Sequence, residues 1–139
     1  MAMSRIIAID YGGKRVGIAV TDTLQMIANP LTTLSPDQLI SFLKEYTGKE
    51  EVEEIVVGLP KDLFNNDTHA TAMVEGLVKT LRETFESLRI ITVDERYTSK
   101  IAKAAISISG LSKKKRKDKN LIDKTSASLI LQTYLETKR

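Results

Sequence analysis

Three carboxylates stand where an α/β chain commonly does its chemistry. Asp10 ends the apolar run 6–9 just before the turn Tyr11-Gly12-Gly13-Lys14, and Glu95 ends a second apolar run. Ligands of α/β sheets collect beyond the carboxyl ends of the strands. Alternation along a strand puts Asp10 on the face of Ile6 and Ala8, and Glu95 on the face of Ile91 and Val93, with Asp94 opposite. On the last helix Asp123, Ala127, Ile130 and Tyr134 fall at i, i+4, i+7 and i+11, which places Asp123 on an inward stripe. An unpaired buried carboxylate costs several kcal/mol or shifts its pKa, so each of these acids needs a partner. Converging carboxylates repel unless cations neutralise them. Magnesium does so, binding carboxylates with water and phosphate oxygens at about 2.0–2.1 Å. Two such ions about 3.5–4 Å apart clamp the attacking and leaving oxygens of a phosphodiester displacement. Separate local roles compete with this reading. Asp10 could accept from the amides of Gly12 and Gly13, Glu95 could pair with Arg96, and Asp123 could face the helix dipole.

The rest of the composition narrows the chemistry. There is no cysteine, so disulfides, thiolate nucleophiles, iron–sulfur clusters and thiolate zinc sites are excluded. A single histidine, His69, argues against a Ser-His-Asp triad or a multi-histidine metal site. A metal held here has oxygen ligands, which favours Mg2+, Mn2+ or Ca2+. The apolar run 6–9 is too short for a signal peptide or membrane span, so the expected compartment is the cytoplasm.

Charge is divided unevenly along the chain. Residues 1–88 hold 8 Lys+Arg and 13 Asp+Glu, a net of −5, whereas residues 89–139 hold 13 and 5, a net of +8. Six of those basic residues lie within 113–119, interrupted only by Asp118. Such a concentration points to a polyanionic partner, nucleic acid above all. A solvated, solubilising face would spread its lysines out.

These residues must be positioned by a small number of elements. Strands are expected over 5–10, 15–21, 28–34, 54–59 and 89–95, the first two joined as an antiparallel hairpin. Ser35-Pro36-Asp37-Gln38 reads as a helix start with a capping box and Pro at the first position. Leu39, Phe42, Leu43 and Tyr46 form the stripe that follows it. A second helix spans about 68–85 with Met73, Leu77, Val78 and Leu81 inward, a third about 99–109 before Gly110, and a last one about 120–138. The expectation is one α/β domain over 1–139, a mixed sheet of about five strands flanked by helices.

At 9–22 the run Ile-Asp10-Tyr-Gly-Gly-Lys-Arg-Val-Gly-Ile-Ala-Val-Thr-Asp22 resembles the opening hairpin of the YqgF family. Agreement continues at Val57-Gly58-Leu59-Pro60, at Asp94-Glu95-Arg96-Tyr97-Thr98-Ser99, at Gly110-Leu111-Ser112 with the lysine run, and through Asp123 to Leu135. The resemblance covers essentially the whole chain. It implies an RNase-H-like fold similar to Holliday-junction resolvases, and a role as nuclease in maturing the 5′ end of 16S rRNA. It also implies that Asp10, Glu95 and Asp123 are the catalytic, metal-binding acids, with Mg2+ or Mn2+ as cofactor. The Asp-Gly pair that follows Gly-Leu-Pro in the family is replaced here by Lys61-Asp62-Leu63-Phe64-Asn65-Asn66-Asp67.

Other residues near these acids suit a nucleic-acid substrate. Lys14, Arg15 and Arg96 adjoin the acids and can reach phosphates, and Lys113, Lys114, Lys115 and Arg116 can hold those flanking the scissile bond. Ordinary surface charge is the competing role for Lys14 and Arg15. Thr98 and Ser99 read as helix caps and His69 as a surface residue. Aromatic content is only 5%, leaving Tyr11 and Tyr97 as stacking candidates, so recognition rests on backbone and shape. The function expected is a metal-dependent endonuclease on structured nucleic acid, chiefly precursor 16S rRNA. Its alternatives are a Holliday-junction resolvase on DNA and a noncatalytic RNA-binding factor of ribosomal particles. An actin-like ATPase is disfavoured by length, and no P-loop is present. Either a monomer or a homodimer fits, and cleavage of a symmetric junction demands the dimer.

Overall fold

The computed structural model describes residues 4–60, 69–94 and 119–138, the last segment without the side chains of 119–125. The loop 61–67, Glu95, Arg96, Tyr97, Thr98, the expected helix over 99–109 and the lysine run up to 118 all lie outside the described residues.

Five strands form one mixed sheet in the order β3-β2-β1-β4-β5. They are β1 (Arg5–Tyr11), β2 (Val16–Thr21), β3 (Ala28–Leu34), β4 (Val52–Leu59) and β5 (Arg89–Asp94). The first three form an antiparallel meander, and β4 and β5 join β1 in parallel. Helices α1 (Leu39–Lys49) and α2 (His69–Thr84) cover one face, while α3 (Lys119–Lys138) covers the other. Strand alternation drives this layering. Ile7, Ile9, Ile55 and Val57 point to α1 and α2, whereas Ile6, Ala8, Ala19 and Val56 point to Ala127, Ile130, Leu131 and Leu135 of α3.

Sequence patterning placed these elements to within a residue or two. A short 3-10 turn, Pro36–Gln38, leads into α1, and the Gln38 side chain accepts from the Ser35 N–H at 3.2 Å, as in a capping box. Phe42 and Tyr46 stack on that helix with ring centroids 5.9 Å apart. One expected core residue is corrected. Met73 is 36% exposed, and the inward stripe of α2 runs through Thr71, Val74, Leu77, Val78 and Leu81. The 3.6-residue period through Leu77, Val78 and Leu81 selects Val74, and Met73 falls on its flank.

Candidate active site

Asp10 is half-buried on the last turn of pleat of β1, on the face covered by α3. Its cross-strand partner is Gly17 on β2. On its other side, β4 is in register through Ala8↔Val56 and Ile9↔Val57, which puts Gly58 at the level of Asp10. Gly58 in turn pairs with Val93. The five strands contain two glycines, and both flank Asp10. Paired Cβ atoms in a sheet lie about 4.5–5.5 Å apart, so neither cross-strand neighbour sets a side chain beside the carboxylate, although both glycines are themselves buried.

The partners proposed for Asp10 can be located as far as the described residues reach. Val93 packs on the α3 side, and Asp94 follows it as an exposed residue ending β5. Glu95, the next residue, lies outside the described residues. Asp123 lies on α3 one turn before Ala127, which is fully buried against the sheet together with Ile130. At the far end of that stripe Tyr134 Oη donates to Glu54, whose cross-strand neighbours are Ile6 and Arg89. Helix α3 therefore runs antiparallel to β1 and β4, its N-terminal end toward Asp10. Eleven helical residues from Tyr134 to Asp123 rise about 16 Å, and four strand residues from Ile6 to Asp10 rise about 13 Å. Helix α3 is therefore long enough for its N-terminal turn to extend to the level of Asp10.

The loop joining β1 to β2 stands at the same end. Gly12 N–H donates to the Arg15 carbonyl at 2.9 Å, closing a four-residue turn that carries exposed Lys14 and half-buried Arg15. The N-terminus of α2 meets this end too, because Thr71 Oγ1 donates to the carbonyl of Pro60 just past β4. His69 is exposed at the start of α2, as expected. Tyr11 corrects an expectation: it packs with the core under α1 and α2, on the opposite face from Asp10. Alternation makes this unavoidable, so Tyr11 offers no stacking platform beside the acid.

Two polar features went unread in the sequence. Glu54 is fully buried on β4, held by Tyr134, by Lys138 Nζ at 2.5 Å and by Arg89 at 3.8 Å. Burial and the bond to Glu54 push the Tyr134 hydroxyl up to about 12. The strand parity of Glu54 with Val56 was visible, but its partners lie 80 and 84 residues away. The second feature is Asp22, which accepts from the N–H groups of Ile27 and Met26 at 2.9 Å and Leu24 at 3.2 Å. Those backbone bonds, that of Ile27 foremost, hold its carboxyl below the usual range. Asp22 thus shapes the β2–β3 turn at the opposite end of the sheet from Asp10.

Among the described residues no three His, Asp or Glu side chains gather in one place. Asp10 nevertheless fits a hard divalent cation, being a carboxylate at a strand end with glycine on both sides.

Comparison with known proteins adds the lineage. A match to RuvX, described as Holliday junction resolvase, spans residues 4–137. The chain belongs to the RuvX family. Relatives in this family called "Putative pre-16S rRNA nuclease" are 50% identical in Bacteroides thetaiotaomicron and 47% in Flavobacterium johnsoniae, each covering 99% of both chains. Among solved structures, T. thermophilus RuvC in complex with a Holliday junction substrate aligns over 96% of both chains with a TM-score of 0.52 and 18% identity. That likeness supports the RNase-H-like fold expected from the hairpin motif. The YqgF resemblance and the RuvX family coincide.

Proposed function

We propose that this RuvX-family chain is a metal-dependent endonuclease that hydrolyses phosphodiester bonds of structured nucleic acid, precursor 16S rRNA first among them. The observation that carries this reading is the row Gly17-Asp10-Gly58 at the C-terminal end of the parallel strands, facing the N-terminal end of α3. Asp10, Glu95 and Asp123 would hold Mg2+ or Mn2+, which when bound supplies Lewis-acid activation of water and neutralises the phosphate. Asp10 sits on rigid central strand rather than on a loop, which fixes its carboxylate before substrate arrives. Lys14 and Arg15 would orient flanking phosphates from the β1–β2 loop, with Arg96 and the run Lys113, Lys114, Lys115 and Arg116 extending that contact. The names of the relatives support rRNA as substrate, and the family description keeps branched DNA as the alternative. No described helix is long and apolar enough to cross a membrane.

The test is cleavage of precursor 16S rRNA and of a four-way DNA junction with Mg2+ or Mn2+. Asp10→Asn should lower cleavage at least about 100-fold while substrate affinity stays within a few-fold. A matching loss of affinity, or full activity in the variant, would overturn the assignment.

A further inference from the structure

The described inward face of α3 runs through Ser126, Ala127, Ile130 and Leu131 to Tyr134, Leu135 and Lys138, with the Asp123 backbone one turn before Ala127. The middle presses on Ile6, Ala8, Ala19 and Val56. Apolar burial holds the helix on the sheet, but it is non-directional and fixes axial position weakly. Directional bonds occur at the C-terminal end. Tyr134 Oη and Lys138 Nζ converge on the two oxygens of fully buried Glu54, and Lys138 also lies 3.8 Å from Glu53. Glu53 is itself held by Ser4 Oγ at 2.6 Å and by the Gln25 side chain. Gln25 has a left-handed backbone, φ 58°, and also donates to the Ser4 carbonyl at 3.1 Å. Strand β4, the residue before β1 and the β2–β3 turn are thereby tied to the last turn of α3.

We propose that Tyr134 and Lys138 are positioning residues that fix the axial register of α3 and, through that rigid helix, the level of Asp123 beside Asp10. The proposal rests on the reading of Asp10 and Asp123 as metal-binding acids. A helix keeps its rise of about 1.5 Å per residue, so a slip at Tyr134 is transmitted along the rod to Asp123. Glu54 cannot turn away to follow a shifted helix, because it is fully enclosed on a central strand. The clamp therefore acts from the opposite end of the sheet to the site.

The experiment is titration of the full chain with Mn2+ alone, read by loss of the free-ion EPR signal, together with the metal concentration for half-maximal cleavage. Tyr134→Phe removes only a hydroxyl, and Lys138→Met removes the ammonium while keeping the stem. Each should weaken Mn2+ binding and raise the metal requirement about 10-fold, as supporting groups of metal ligands typically do, with substrate KM unchanged. Lys138→Arg should restore wild-type behaviour, and it decides the matter with Tyr134→Phe if Lys138→Met fails to fold. Folded clamp variants with lower Tm but wild-type Mn2+ affinity would overturn the proposal and leave a purely structural clamp. Asp10→Asn is the reference. If it weakens Mn2+ binding and the clamp variants do not, the clamp alone fails. If it leaves Mn2+ affinity unchanged, the active-site reading fails, and the clamp proposal with it.

Discussion

Replacing Gly12 by alanine tests how tightly the loop behind Asp10 is closed. A Cβ at Gly12 would stand 2.7 Å from the Arg15 carbonyl oxygen, whereas one at Gly13 would meet only Met73 Cε at 3.9 Å. Neither glycine has a left-handed backbone, so the two substitutions differ in space alone. The Arg15 oxygen is backbone, and it already accepts the Gly12 N–H at 2.9 Å. It cannot yield without opening the turn. Loss of that bond costs about 0.5–1.5 kcal/mol and the overlap about 1–3 kcal/mol, against about 0.4–1 kcal/mol gained from a stiffer unfolded chain. The net is about 2 kcal/mol, and in a chain of 139 residues it lowers Tm by about 6–10 °C. Gly13→Ala should stay within about 2 °C of the parent. Thermal unfolding followed by circular dichroism separates the two. Cleavage should follow the same order, since Gly12→Ala displaces Lys14 and Arg15 relative to Asp10. Equal Tm values, or a larger drop for Gly13→Ala, would refute the close-approach argument.

Two further outcomes follow from charge. The Tyr134 hydroxyl is raised from 10.0 to about 12 by burial first and by its bond to Glu54 second, so its neutral form is favoured in the folded state. That contribution is fully present below pH 10 and lost as pH climbs toward 12; alkaline unfolding monitored by circular dichroism should show this limb, and Tyr134→Phe should remove it. Changing Lys113, Lys114, Lys115 and Arg116 to glutamine should flatten the log–log salt slope of nucleic-acid binding by roughly two to four units, because each phosphate contact contributes about −0.9 on duplex and about −0.7 on single strands. An unchanged slope in filter binding between low and moderate salt would assign the lysine run to another partner.

Local patterns were legible wherever one face of an element is buried. Alternation along Arg5–Tyr11 and Val16–Thr21 gave the strands, and the same alternation put Asp10 and Tyr11 on opposite faces. Proximity in sequence to an acid is a poorer guide than parity, which is why Tyr11 misled as a stacking candidate. Met73 misled for a related reason: an apolar side chain beside a stripe resembles one within it until Val74 is seen to carry the contact. What sequence could not supply was pairing across long separation. Glu54 looked like the polar start of a strand, and only the antiparallel run of α3 brings Tyr134 and Lys138 to it. The sheet order was equally hidden, and with it the fact that Gly17 and Gly58 lie on either side of Asp10.

Those two glycines separate what the fold needs from what the site needs. Glycine within a strand is destabilising by roughly 0.5–1 kcal/mol relative to alanine, and it offers nothing to pack. One level below Asp10 on the same face, the equivalent positions are Ala19, Ala8 and Val56, all fully buried in the core beneath α3. A sheet selected for stability alone would continue that filling by one more row. Instead the row of side chains gives way to two buried glycines where the carboxylate stands. The opposite end of α3 shows the reverse economy, with every oxygen of a buried carboxylate matched by a donor. Polar groups at that end are consumed by one another and fix the helix. At the Asp10 end two glycines take the place of packing side chains, and Lys14 and Arg15 stand on the neighbouring loop, where the proposed phosphate contacts would form.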